Sequence, residues 1–466
     1  MAAPSRSRRS RAAFRLLAGL GCGLAASACA PAAGRAPDVV LVVLDTVRAD
    51  HTSLHGYRRT TTPRLDALAQ RATVFPRAHA TAPWTLPAHA SLFTGRTPAE
   101  HGAHRVAVPG PDEVGIRPLD ARRRTLAEAL RDRGYATAGF AANEAFLAPR
   151  YGLGRGFDEW SVALEPGWKV ADRAVRWLDE RADEPVFLFL NVMDAHRPYN
   201  VSRRDVDPAW TARRAPGSVA LLERAVLSGE PLDRALRDEV IDQYDLGVAN
   251  ADAALGRLLL ALEERGRLAD AVVIVTSDHG EQFGEHGLAL HGRGVQEAAL
   301  HVPLVVKAPG QETERRDPRR VSSADVPALL LEAVPSLGAL RGVFPRTPGS
   351  GATLAQVHFG NLGDVKEPWA ARFREHWTAV YRGDQKLLLS TTGTHRLHDL
   401  ARDPDEQDDL APTHPGLVAE MMRALDERWA RLDHPGAPDG SGGGAGSEPA
   451  PLDEETRGRL EALGYL

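Results

Sequence analysis

Asp38-Val39-Val40-Leu41-Val42-Val43-Leu44-Asp45 is an unbroken apolar run closed at each end by an acid. Six successive Val and Leu residues without polar alternation predict a strand buried on both faces, as in a parallel sheet covered by helices. Such a strand delivers Asp45 to the carboxyl edge of its sheet, where open α/β sheets bind ligands. The design recurs twice: Val186 to Val192 leads to Asp194 and His196, and Ala271 to Thr276 leads to Asp278 and His279. Three apolar strands that each end at polar groups are more than core packing requires.

Helical signals lie between these runs. Thr62-Pro63 opens one helix, with proline at its first position. Thr125-Leu126-Ala127-Glu128 is a capping box opening another that runs toward Gly134. Tyr244 to Glu264 has helical spacing of Leu, Val and Ala, and Val302 to Val306 reads as a further strand before a charged loop around 312–320. The expected fold class is α/β: a sandwich around a large, mixed, mostly parallel sheet flanked by helices, with a smaller C-terminal α+β subdomain. The expected organisation is a catalytic domain over 38–345, the subdomain over 350–433, and a Gly, Ser and Pro rich linker with a short terminal helix over 434–466.

The 466 residues suffice for this arrangement, and 43% of them are hydrophobic. A net charge of -5 gives no nucleic-acid footprint. Residues 1–30 combine a basic start (Arg6, Arg8, Arg9, Arg11, Arg15) with an apolar run from Leu16 to Ala30, too short for a comfortable membrane span. This predicts export, to the periplasm or outer surface. Both cysteines, Cys22 and Cys29, lie in this segment. Ala26-Ser27-Ala28-Cys29 resembles a bacterial lipoprotein cleavage box, so plain secretion and membrane attachment through a lipidated Cys29 both stand. Either way the folded body carries no thiol.

Trp84-Thr85-Leu86-Pro87-Ala88-His89-Ala90-Ser91-Leu92-Phe93-Thr94-Gly95-Arg96 resembles the signature loop of the sulfatases. That loop reads Cys or Ser, any residue, Pro, Ser or Ala, Arg, then Ala-Ser-Leu-Leu-Thr-Gly-Arg. The resemblance extends to Asp278-His279-Gly280, to His196-Arg197-Pro198-Tyr199, and to a C-terminal pattern at Tyr381 to Leu387 and Arg396 to Glu406. It covers about 38–430 and implies the fold of the alkaline phosphatase superfamily. Thr85 occupies the position of the formylglycine precursor and His89 that of the arginine. Threonine cannot become formylglycine, so none is expected. Residue spacing places Thr85 near a helix N-terminus with Pro87 in the first turn, where a plain N-cap hydroxyl is the alternative role.

The resemblance implies a metal site made of Asp45, Asp278 and His279, with Thr85 as a further ligand and nucleophile. Where many sulfatases carry a second acid after the first, this chain has Thr46, and Asn143 falls where many carry Gly-Lys-x-His. Thr46 and Asn143 are taken as substrate-binding candidates. Thr85, His89, His196 and His291 are the catalytic candidates; for His291 a lysine-like role and a second metal remain open, and His286 competes with it. Adjacent carboxylate and imidazole donors suit Zn²⁺ or Mn²⁺ more than Ca²⁺. The implied function is metal-dependent hydrolysis of phosphate or sulfate esters, with a phosphodiester or phosphonate-type ester foremost, on a small-molecule, lipid or glycan substrate. An exported phosphotransferase and a non-catalytic binding protein are the alternatives. The oligomeric state is not legible.

Overall fold

The computed structural model describes residues 35–107, 114–199, 217–349, 353–358, 373 and 375–430. The apolar opening run forms β1 (Val39–Leu44), buried at every residue. It lies at the centre of an eight-stranded sheet with β2 (Thr73–Val74), β3 (Ala136–Ala141), β4 (Glu159–Val162), β5 (Val186–Val192), β6 (Val272–Thr276), β7 (Leu304–Lys307) and β8 (Arg315–Arg316). The order is β8-β2-β7-β6-β1-β5-β3-β4. β1 runs parallel to β5 and β6, and β3 parallel to β5 and β4; β7 is antiparallel to β6. Val43 lies opposite both Asn191 and Thr276, and Ala141 opposite Asn191. Four adjacent parallel strands therefore finish level, and the loops that leave them share one edge.

Two groups of helices flank the sheet. α1 (Pro63–Ala69), α4 (Gly167–Asp179) and α5 (Arg234–Glu264) pack together, with α4 on β5 and α5 on β1. α2 (Thr85–Thr94), α3 (Leu126–Arg131) and α7 (Val326–Ala333) form the other group, with α3 on β3 and α7 on β6 and β7. A four-residue helix, α6 (Glu297–Leu300), precedes β7. The capping box at Thr125 is formed, with both Thr125 and Glu128 side chains bonded to backbone. α5 starts ten residues before the expected Tyr244, capped by Asp233 on the Ala235 amide. Its first turns carry Leu236, Val240 and Ile241 at helical spacing against the core, an apolar period that continues into Tyr244 and that the sequence reading passed over.

The C-terminal region is a four-stranded antiparallel sheet, β9 (Thr353–Val357), β10 (Trp377–Arg382), β11 (Gln385–Ser390) and β12 (His395–Asp399), in sequential order. α8 (Pro415–Trp429) closes one face of it through Val418, Met421 and Leu425, which pack with Leu354, Val380, Leu387 and Leu397. The basic and apolar segment 1–30, with Cys22 and Cys29, and the stretch 434–466 lie outside the described residues. Among the described residues no helix is long and apolar enough to cross a membrane.

Candidate active site

The level edge of the sheet gathers the polar groups. β6 delivers Asp278 and His279, β1 delivers Asp45, β3 delivers Asn143, and β5 carries Asn191 as its next-to-last residue. All five side chains are buried. α2 approaches the same edge with its N-terminus. Trp84 is the residue before the helix and Thr85 its first helical position. The hydroxyl of Thr85 therefore does not cap the backbone. It accepts a hydrogen bond of 3.1 Å from Asn143 Nδ2. The same nitrogen donates to Asp45 Oδ2 at 3.2 Å, and Asn191 Nδ2 donates to that oxygen at 3.0 Å. Thr85 and Asp45 thus lie within two hydrogen-bond lengths of each other. Asn143 is itself fixed, its amide donating to Asn191 Oδ1 at 3.2 Å and its Oδ1 accepting from Phe146 N–H at 3.0 Å.

Asp45, Asp278 and His279 bring ligand atoms within 4.8 Å of one another. Asp45 Oδ1, Asp278 Oδ2 and His279 Nε2 are buried and make no hydrogen bond. An orphaned buried acceptor costs about 1–3 kcal/mol, and three facing one another are hard to sustain without a cation among them. His279 Nδ1 lies 3.0 Å from the Gly280 carbonyl, which can only accept. The ring hydrogen is therefore on Nδ1, and Nε2 presents the lone pair a metal needs. Burial, and then the charge of Asp278, pushes the Asp45 carboxyl up to about 7; burial pushes Asp278 to about 7 and His279 below its usual range. A divalent cation reverses that logic, because it stabilises the ionised carboxylates. The donor set fits such an ion.

The catalytic histidine candidates converge on the same edge. His89 sits one turn along α2; its Nδ1 donates to the Thr85 carbonyl at 2.9 Å and lies 3.5 Å from Asp278 Oδ2. Its Nε2 is buried without a hydrogen bond, and burial lowers its pKa to about 3, so the position is neutral. The His291 ring stands 4.6 Å from that of His279 and 4.8 Å from that of His196. His196 Nδ1 donates to the Arg197 carbonyl at 2.6 Å, and His291 Nδ1 lies 2.9 Å from Glu281 Oε1. Burial lowers His196 to about 3 and holds His291 well below its usual range.

Three placements depart from expectation. Thr46 does not present its hydroxyl to a substrate: Oγ1 points at the carbonyls of Asp45 and Ala195, at 2.7 and 2.8 Å. Its backbone is left-handed, φ 61°, which is strained for a β-branched residue, and its amide donates to Asp278 Oδ1 at 3.2 Å. Thr46 is thus a strut between the two ligand loops. His286 lines a cavity beside Arg48, Glu285 and Glu297 to which neither Thr85, nor the three metal-ligand candidates, nor the other catalytic histidines contribute. Asp194 Oδ2 accepts the Gly167 amide at 2.8 Å, anchoring the start of α4.

Two site residues escaped the sequence reading. Asn191 is the lone polar residue inside an apolar strand, and Glu281 follows His279 by two positions. Glu281 is fully buried, with Oε2 3.4 Å from the Tyr199 hydroxyl, and burial holds its carboxyl well above the usual range. A polar residue within an otherwise apolar strand end was the available signal for Asn191.

The chain is similar to known proteins along most of its length. A family profile described as Sulfatase matches residues 37–167 and 168–336. Arylsulfatase K of Homo sapiens is 24% identical over 476 residues, covering 86% of this chain and 85% of that protein. An N-acetylgalactosamine-6-O-sulfatase of Bacteroides thetaiotaomicron is 21% identical over 513 residues, covering 84% and 92%. The crystal structure of a phosphonate monoester hydrolase of Agrobacterium radiobacter superposes with a TM-score of 0.64 at 22% identity, covering 85% of this chain and 96% of that one, which shows a shared fold. The matched profile takes in β1 with Asp45, α2 with Thr85, and the Asp278-His279 pair: the chain belongs to the sulfatase family of metal-dependent ester hydrolases.

Proposed function

We propose that this sulfatase-family enzyme hydrolyses a phosphodiester or a phosphonate-type ester with Thr85 as the nucleophile. Asp45, Asp278 and His279 would hold a divalent cation, zinc or manganese before calcium given the carboxylate and imidazole donors. The observation that carries the reading is the single Asn143 amide shared between Thr85 Oγ1 and Asp45 Oδ2. It ties the hydroxyl to the ligand cluster instead of to the helix backbone.

When bound, the cation supplies Lewis-acid charge beside the nucleophile and the ester oxygens. The chain's own groups do the rest. Asn143 donates to Oγ1, so the hydroxyl hydrogen faces away from the amide and a lone pair is fixed in direction. Attack forms the Oγ1–P bond and breaks the bond from phosphorus to the leaving oxygen, and the hydroxyl proton ends on that leaving oxygen. His196 and His291, whose Nδ1 atoms lie against the Arg197 carbonyl and Glu281 Oε1, are the groups proposed to carry that proton from Oγ1 to the leaving oxygen. Water then cleaves Oγ1–P and restores threonine. A sulfated threonine would lack the elimination route open to a formylglycine hydrate, which favours phosphorus over sulfur. Asn143 and the neutral His89 stand where many sulfatases carry lysine and arginine, and this suits a reacting group of lower charge, as in a diester.

The substrate is a small-molecule, lipid or glycan ester. The proposal extends to an exported enzyme, secreted or lipid-anchored at Cys29, with a catalytic unit over 38–345, a C-terminal unit over 350–433 and a linker after it. The test is turnover of bis-p-nitrophenyl phosphate by residues 31–466 with Mn²⁺ or Zn²⁺, beside Thr85→Ala and beside p-nitrophenyl sulfate. Diester turnover lost in Thr85→Ala is the expected result. Sulfate turnover that survives in Thr85→Ala would refute the nucleophile. Silence with both metals and both esters would favour a phosphotransferase awaiting its acceptor, or a binding protein.

A further inference from the structure

The C-terminal pattern at Tyr381, Lys386 and Glu406 contributes no side chain to the active site, yet its polar groups are buried. Lys386 and Tyr381 are 0% and 1% exposed and Glu406 4%. All three converge on Glu297, the first residue of α6. Lys386 Nζ lies 2.8 Å from Glu297 Oε1 and 2.7 Å from Glu406 Oε1. The Tyr381 hydroxyl donates to Glu297 Oε1 at 2.8 Å, and the Glu297 amide donates to Glu406 Oε2 at 2.6 Å. Glu406 reaches this position through a left-handed backbone, φ 54°. A desolvated ammonium between two carboxylates has few alternative geometries, so the pair fixes where α6 begins.

The backbone of α6 in turn grips both metal-ligand loops. The Ala299 carbonyl accepts from the Gly280 amide at 2.8 Å, immediately after His279. The His301 carbonyl accepts from the Ala49 amide at 3.0 Å, on the loop after Asp45. The contact at Gly280 is backbone on backbone: a Cβ there would stand 2.1 Å from the Ala298 carbonyl oxygen. A shift of α6 therefore moves both ligand loops together.

We propose that Lys386, Tyr381 and Glu406 are positioning residues for the metal centre, acting through Glu297 and α6, so that the C-terminal sheet sets the metal affinity of the catalytic sheet. This rests on the reading that Asp45, Asp278 and His279 hold a divalent cation. The experiment measures Mn²⁺ and Zn²⁺ affinity by calorimetry on the full chain stripped with chelator, well below the unfolding midpoint, with circular dichroism to verify folding. The variants are Lys386→Met, Tyr381→Phe, Asp278→Asn and Arg382→Ala; the last, in the same sheet, breaks the exposed pair with Glu420 of α8 without touching Glu297.

Outer groups that orient metal ligands typically change affinity about 10–100-fold when lost. Lys386→Met is expected near the low end, about tenfold weaker, and Tyr381→Phe weaker in the same direction by a smaller factor. Arg382→Ala should bind as wild type. Wild-type affinity in both Lys386→Met and Tyr381→Phe overturns the proposal. Equal weakening in Arg382→Ala also overturns it, because the effect would then be general loosening of the sheet. If Lys386→Met does not fold, Tyr381→Phe decides. Metal binding unaffected by Asp278→Asn would sink the metal reading itself, and the proposal with it.

Discussion

His101 gives the fold an acid-sensitive point with a calculable size. It is fully buried beneath α2. Its Nδ1 accepts the Ala103 amide at 3.0 Å, and its Nε2 faces the Pro87 carbonyl at 3.1 Å and Ser91 Oγ at 3.2 Å. The Ala103 N–H leaves no room for a proton on Nδ1, so the folded state needs the neutral ring with hydrogen on Nε2. Burial, with the nearby charge of His104, lowers its pKa from 6.5 to about 3. The unfolded chain takes up a proton near pH 6.5 and the native state does not. Stability is therefore fully present above pH 6.5 and is lost as pH falls toward 3.

At about 1.4 kcal/mol per unit, this one ring is worth about 5 kcal/mol over the whole window and about 3 kcal/mol between pH 6.5 and 4.5. His101→Gln removes the titration and also the fitted hydrogen bonds, so at pH 7.5 it should be less stable than wild type by about 1–3 kcal/mol. The deficit should then shrink below pH 6.5 by up to about 1.4 kcal/mol per unit and vanish near pH 5. The assay is urea unfolding from pH 7.5 to 4.5, in chelator so that metal release does not enter, with fluorescence and circular dichroism required to coincide. A wild-type advantage that stays constant across the series would refute the reasoning, for it would mean that His101 titrates freely in the native state.

Asn143→Ala should lower kcat/KM on the diester by about 10–150-fold, the range for hydrogen bonds to charged groups, with the secondary structure unchanged; steady-state kinetics decides it. Gly139→Ala would drive a Cβ to 2.4 Å from the Trp160 ring between β3 and β4, and should destabilise by about 1–3 kcal/mol, read from urea midpoints. Chelation should lower the melting temperature and added metal restore it in wild type, with an increment that grows with metal concentration; the same increment in Asp278→Asn would place the ion elsewhere.

The legible part of this chain was its strand ends. Asp45, Asp278 and His279 could be placed because unbroken Val, Leu and Ile runs have few uses other than buried parallel strands, and the residues at the carboxyl end of such a strand land at the ligand edge. The level register of β6, β1, β5 and β3 then turned three separate motifs into one cluster. Where the reading failed, the deciding fact was a bond and not a residue type. The hydroxyl of Thr46 looked available until its left-handed backbone turned it onto two carbonyls. Asn191 was not singled out, and its importance lies in the amide that reaches Asp45. Lys386 stood only as one position of the C-terminal pattern, because a single sequence does not tell that Glu297, 89 positions away, buries against it.

These failures share a cause that bears on the chemistry. Each missed group neutralises or orients another buried polar group, and such partners come from distant segments with no common period. The electrostatics of the site is therefore a property of the assembled edge. Thr85 illustrates it. As an isolated helix-start hydroxyl it would cap its own helix, and Trp84 at the cap position offers no side-chain oxygen to do so in its place. The hydroxyl nevertheless turns outward, because Asn143 has one amide nitrogen to share and Asp45 is held beside it by Asn191. Replacing Asn191 by Leu, which removes the donor to Asp45 but touches neither Thr85 nor Asn143's other bonds beyond its amide, should therefore reduce metal affinity and diester turnover together; a variant that lost turnover at full metal affinity would mean that the two asparagines serve Thr85 alone.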